Sequence, residues 1–287
     1  MAIVVLDLEW NGAFCKKIGG YFNEIIEIGA VRLNDALDIV DRFDAVIRPR
    51  VSRKLTHWVT DLTGYTDEQV RAGITFAEAM DRLHRFIGDE GATLLTWSTT
   101  DLTVFMENCR YYYDDERIPF VSRYLDLQAY AQQRMQLDKG QQVGLAKFAE
   151  LLGMSSEALE LHHAIDDSVL SAQILKHVYD TVSFRAAVRP TDDEFYRRIH
   201  FKPTFVRELD DPAVRQKDLQ FRCEACGKRL RPVEPWQFRH RYFVAPLHCS
   251  CGKKYVGRVQ IRRLFDGPEV KRRLIVKTEK SEQTEEV

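Results

Sequence analysis

The chain opens on an apolar, β-branched run, residues 2–6, that passes directly into Asp7-Leu8-Glu9. Ile3, Val4 and Val5 suit a buried strand. Side chains two apart on a strand share a face, so Asp7 and Glu9 project together from the strand's end. Like charges at that spacing resist ionising together unless a positive group lies between them. Paired hard oxygen donors there suit a divalent cation such as Mg²⁺ or Mn²⁺. The alternative is that the pair only begins a solvated loop, and the rest of the chain has to decide.

The pattern that follows is that of an α/β protein. Strands are expected over 24–33 and 38–47, joined by a turn at Asn34-Asp35, with 10–22 as a glycine-containing loop. Thr75 with Glu78 in capping-box position starts a helix to about Phe86. Short strands at 92–96 and 120–125 then alternate with helices at 100–112, 127–135, 145–152 and 168–180. Three antiparallel strands followed by alternating helices and strands predict a mixed sheet, here of five strands, flanked by helices. The expected organisation is a domain over 1–184, a polar connector over 185–218, a basic β-rich module over 219–276 and a disordered tail over 277–287.

Charge divides the 287 residues unevenly. Residues 1–184 hold 18 Lys and Arg against 28 Asp and Glu, whereas 219–276 hold 14 against 4. A basic segment joined to an acidic one suggests that the basic part grips a polyanion such as nucleic acid. No apolar run approaches the ~20 residues that span a bilayer, and no secretory signal is evident. A cytoplasmic protein with no membrane partner is expected.

Two further acidic positions complete a constellation. Asp101 follows the strand 92–96 and the turn 97–100, and Asp167 stands five residues after His162 at the start of a helix. Asp7, Glu9, Asp101 and Asp167 with His162 match a two-metal phosphoryl-transfer site with the histidine as general base. Singly, Asp101 reads as a helix N-cap, His162 or His163 as a loop residue, and Asp166 and Asp167 as partners of a helix dipole. Their joint order resembles the DEDDh 3′→5′ exonuclease superfamily, over about residues 1–182. The segment Asp61-Leu62-Thr63-Gly64-Tyr65-Thr66, with Val70, Gly73 and Phe76, is similar to the branch of Eri-type RNA exonucleases, histone-mRNA exonucleases and sporulation-inhibitor-type proteins. Leu8 departs from the phenylalanine usual before that glutamate.

The resemblance implies an RNase H-like fold and release of nucleoside 5′-monophosphates from a 3′ end. It implies Asp7, Glu9, Asp101 and Asp167 as ligands of two Mg²⁺ or Mn²⁺ ions and His162 as the base. It places the terminal nucleotide near Trp10, Asn11, Leu62 and Thr63, and it favours RNA over DNA. A catalytically inactive nucleic-acid-binding or adaptor protein is the alternative.

Four of six cysteines cluster as Cys223-x-x-Cys226-Gly and Cys249-x-Cys251-Gly. In a reducing compartment this spacing predicts one structural Zn²⁺ in a zinc ribbon. The second spacing is tight, and His248-x-x-Cys251 competes with Cys249 for the fourth ligand. Aromatic residues interleaved with Lys and Arg around these ligands suit single-stranded nucleic acid or, in part, the ribbon's own core.

Overall fold

The computed structural model describes residues 2–88, 91–137, 142–154 and 162–276. The expected tail at 277–287, and the loop residues 159–161, lie outside them. The chain divides into two compact units, Met1–Tyr196 and Arg197–Val287. The division falls inside the stretch read as a connector. Among the described residues no helix is long and apolar enough to cross a membrane.

The first unit is built on a six-stranded mixed sheet. Strands β1 (Ala2–Cys15), β2 (Gly20–Leu33) and β3 (Ile39–Val46) form an antiparallel meander. β4 (Ala92–Thr96) and β5 (Val121–Asp126) then add in parallel beside β1, giving the order β3-β2-β1-β4-β5-β6. The sixth strand, β6 (Arg189–Pro190), pairs antiparallel with β5 at the sheet edge. It is two residues long, too short to leave an alternating pattern, and it makes the sheet one strand larger than the five expected. A proline there fits an edge strand that need not donate on both sides.

The segment 10–22, read as a loop, is mostly strand. β1 and β2 pair as far as Cys15 with Gly20, which leaves only 16–19 as the turn. Gly19, at φ 71°, supplies its left-handed residue. Gly12 sits within the ladder, where a Cβ would stand 3.4 Å from the Tyr21 ring. A glycine that makes room for a cross-strand ring resembles, in sequence, one that makes a turn.

Helices α1 (His57–Thr63), α2 (Asp67–Ala72) and α3 (Phe76–Ile87) follow the meander. Thr75 caps α3, its hydroxyl accepting from Glu78 N at 3.2 Å. The reciprocal capping box is one helix earlier, between Thr66 and Gln69. α4 (Thr99–Tyr113) links β4 to β5, and α5 (Leu127–Arg134), α6 (Leu145–Leu151) and α7 (Ala164–Val178) complete the layers. α7 buries Val169, Leu170, Ile174 and Leu175 among Val5, Val31 and Leu95 of the sheet. Each such side chain contributes about 1.5–3 kcal/mol on burial. Its first turn lies directly on β2 at Gly29, where a Cβ would collide with the backbone of Ala164 and Ile165. Ser168 Oγ donates to Gly29 O at 3.0 Å across the same contact.

After α8 (Thr181–Ala187) and α9 (Asp193–His200), the second unit is a separate antiparallel sheet. β10 (Tyr242–His248), β11 (Lys254–Leu264) and β12 (Gly267–Val276) form its body. The short strands β7 (Thr204–Phe205), β8 (Arg231–Pro232) and β9 (Gln237–Arg239) pair onto it. Phe221, Phe243, Leu247, Tyr255 and Ile261 fill its small core beside Cys223 and Cys249.

Candidate active site

Three elements bring acidic residues to one end of the first sheet. β1 carries Asp7 and Glu9 at the point where its register with β2 shifts, between Glu9 and Trp10. Such an irregularity re-aims side chains next to sites. β4 ends at Thr96, and Ser98 caps α4 with its hydroxyl accepting from Thr100 N at 3.1 Å. Asp101 then lies in the first helical turn, 6% exposed. Asp167 lies in the first turn of α7, just after His162 and His163. Ser98 and His162 adopt φ of 95° and 75°, a region that costs a non-glycine residue free energy. Both strained residues stand at the segments that deliver the acids.

Glu9, His162 and Asp167 present ligand atoms within 4.8 Å of one another. Leu8 N–H hydrogen-bonds to the Asp101 carboxylate, which ties α4 to β1 between Asp7 and Glu9. Burial, followed by the charges of Asp101, Asp167, Glu9 and Glu27, raises Asp7 far above the usual carboxylate range. Glu9 is pushed up to about 8, first by burial and then by Glu27, Asp167 and Asp101. Burial lifts Asp101 to about 7 and raises Asp167 as well. Among the described residues the charges acting on Asp7 and Glu9 are all negative, and only His162 and His163 oppose them at Asp167. The donor set is hard oxygen with one imidazole, which fits Mg²⁺ or Mn²⁺.

A fifth carboxylate went unread in the sequence. Glu27 on β2 stands opposite Glu9 in register and is 1% exposed. Neither carboxylate oxygen completes a well-aligned hydrogen bond. Ala164 N–H and the Tyr65 hydroxyl lie beside it, and His163 Nδ1 is 3.7 Å from Oε2. Burial pushes Glu27 up to about 7. The signal available in the sequence was a charged residue inside the apolar run 25–31.

The residues expected around a terminal nucleotide fall into two groups. Trp10 and Leu62 are half-buried. Asn11 is fully buried, and its amide is committed to the segment ahead of α1. It donates to Ser52 Oγ and to Lys54 O (3.0 Å) and accepts from Thr56 N at 2.9 Å. Thr63 is also buried; its hydroxyl donates to Val59 O at 2.9 Å and accepts from Tyr65 N. The side chains of Asn11 and Thr63 thus hold the α1 segment on which Leu62 sits.

In the second unit the thiols of Cys223, Cys226, Cys249 and Cys251 gather within 4.8 Å. Cys223 and Cys251 sulfurs are 3.7 Å apart, and Cys226 and Cys249 sulfurs 3.4 Å. These spacings exceed the ~2.05 Å of a disulfide and approach the ~3.8 Å edge of a tetrahedron with ~2.3 Å zinc–sulfur bonds. Gly227 and Gly252, at φ 70° and 88°, turn the two knuckles. The Tyr255 hydroxyl, 3.2 Å from Cys223 Sγ, holds that thiol down to about 6. The donor set fits one Zn²⁺. His248 is exposed on β10, paired with Arg231 of β8, and is not among the four.

Comparisons with known proteins bear on the family and the fold. The exonuclease family model matches residues 4–175. A probable 3′-5′ exonuclease, KapD of Bacillus subtilis, is 26% identical over 192 residues, covering 66% of this chain and 90% of that protein. The PolC-type DNA polymerase III of Halalkalibacterium halodurans is 33% identical over 86 residues, 30% of this chain and 5% of the polymerase. The nuclease domain of 3′hExo, a DEDDh family member solved bound to rAMP, superposes with a TM-score of 0.55 at 23% identity, over 67% of this chain and 96% of that domain. The cell-death related nuclease CRN-4 superposes at 0.52 and 17% identity, over 73% of this chain and 69% of that one. At these identities the structural likeness establishes the RNase H-like fold. This chain belongs to the exonuclease family, with the DEDDh order of acidic residues and histidine inside the matched segment.

Proposed function

We propose that the chain is a divalent-metal-dependent 3′→5′ exonuclease acting on single-stranded nucleic acid, RNA ahead of DNA, and releasing nucleoside 5′-monophosphates. The observation that carries this reading is the grouping of Glu9, His162 and Asp167 beside Asp7 and Asp101 in a buried acidic end of the sheet. Support for the 3′ direction comes from KapD, and for RNA from the rAMP bound to 3′hExo. The positive balance of 219–276 supports a polyanionic substrate.

Asp7, Glu9, Asp101 and Asp167 are the residues that would hold the divalent ions. Bound there, such ions neutralise phosphate charge and acidify water. His162, exposed ahead of α7, takes the proton of the attacking water. Water oxygen bonds to phosphorus, the P–O3′ bond breaks, and the departing 3′ oxygen takes up a proton from solvent. Asn11 and Thr63 position the α1 segment, leaving Leu62 and Trp10 to meet the last base.

End-labelled single-stranded RNA and DNA incubated with Mg²⁺ or Mn²⁺ test this reading. Shortening from the 3′ end is expected, faster on RNA. His162→Ala is expected to slow it by about 10²–10⁴-fold. Absence of metal-dependent shortening on both polymers contradicts the reading.

A further inference from the structure

A cleft of about 940 Å³ opens in the second unit beside the thiolate cluster. Lys228, Arg229, Arg231, Trp236, Pro232 and His248 are among the residues that line it. Among the described residues no acidic one lines it. Elsewhere in the unit four arginines are matched with acids, Arg198 with Asp266, Arg215 with Asp218, Arg262 with Glu269, and Arg263 with Asp211, while others such as Arg258 and Arg273 are not. Among the described residues, none of Lys228, Arg229 and Arg231 has an ion pair, and all three are exposed. The cleft thus carries three positive charges that no acid offsets.

Trp236 gives the concavity a second chemistry. Its ring stacks on Phe221, with centroids 6.1 Å apart and planes at 26°. Its far edge rests on β11, where a Cβ at Gly257 would stand 2.8 Å from Cη2. A half-buried ring held on one side is a preorganised platform. Cations beside an aromatic wall suit phosphates and an unstacked base together. A duplex offers its phosphates but keeps its bases stacked, so the combination selects single strands.

We infer that this cleft binds single-stranded nucleic acid, with Lys228, Arg229 and Arg231 on successive phosphates and a base against Trp236. The inference rests on the reading of the chain as acting on nucleic acid and assigns the part of the second unit that holds the polymer.

The test is direct binding of a fluorescent 12-nucleotide oligouridylate, and of the same length of duplex, to the full zinc-loaded chain carrying Asp7→Asn. The triple change Lys228→Glu, Arg229→Glu and Arg231→Glu alters exposed residues only. It is expected to weaken oligouridylate binding about tenfold or more and to make the salt slope shallower by about two. Trp236→Ala is expected to weaken it about tenfold, with Trp236→Phe close to the parent. Zinc content and melting temperature of each variant serve as controls of folding.

Unchanged affinity and salt slope in the triple variant overturn the inference. So does tighter binding of the duplex, or binding of polyglutamate in place of the oligonucleotide. Hydrolysis by the unsubstituted chain is followed alongside. Binding that depends on the cleft, with no hydrolysis, overturns the exonuclease reading and leaves the cleft standing; hydrolysis with cleft-independent binding does the reverse.

Discussion

Asp7, Glu9, Asp101 and Glu27 are acids that the first unit holds where water is scarce, and each is raised above its ordinary range. An acid whose folded pKa is raised binds more protons folded than unfolded across the interval between the two values. For Glu9 that interval runs from 4.5 to about 8, and for Glu27 from 4.5 to about 7. The stability of metal-free protein is therefore predicted to fall as pH rises from about 5 to 8, by up to roughly 1.4 kcal/mol per pH unit for each such group. Urea midpoints measured in chelator read this directly. Mg²⁺ is predicted to flatten the dependence, and a metal-free midpoint that rises over the same range contradicts it. Glu9→Gln removes one of the repelling charges and is predicted to raise the metal-free midpoint while abolishing hydrolysis.

At the scale of elements, the site depends on how closely α7 lies on β2. The absence of a side chain at Gly29 permits that approach, since a Cβ meets backbone rather than a side chain that can swing away. Gly29→Ala is predicted to destabilise the first unit by about 3 kcal/mol or more and to displace His162 and Asp167 together. Calorimetry and hydrolysis of the same preparation check both effects. The meander, the α7 stripe and the thiol pairs were legible because each obeys a local period or spacing. Gly12 and Gly20 were not, because glycine in a ladder and glycine in a turn look alike without the partner strand. Asp7, Glu9, Asp101, His162 and Asp167 were legible through their joint order, which resembles the DEDDh pattern; Asp101 and Asp167 do stand at helix starts, whereas Asp7 and Glu9, expected at a strand end, lie inside β1, which runs on to Cys15. Glu27 offers only a charge inside an apolar run, and nothing local places that carboxylate opposite Glu9. The burial of Asn11 and Thr63 depends on a loop 40 or more residues away for Asn11 and on tertiary packing for Thr63.

At the scale of the molecule, two units carry separable chemistry. The first is acidic and brings hard oxygen donors together, and the second is basic and brings four thiols together. The second has a small core of about a dozen buried side chains. A unit of that size leans on its metal for stability. Purified protein is predicted to hold one zinc per chain. Cys226→Ser, or a strong chelator, is predicted to melt 219–276 while the first unit keeps its own transition. A single transition unchanged by zinc removal contradicts that division.

The most direct test of the central claim is the product analysis of a 5′-labelled single-stranded RNA incubated with Mg²⁺ and either the unsubstituted chain or Asp7→Asn. The account predicts a ladder shortened stepwise from the 3′ end, with nucleoside 5′-monophosphates accumulating, and no ladder with Asp7→Asn. Internal cuts, or full activity in Asp7→Asn, would contradict it.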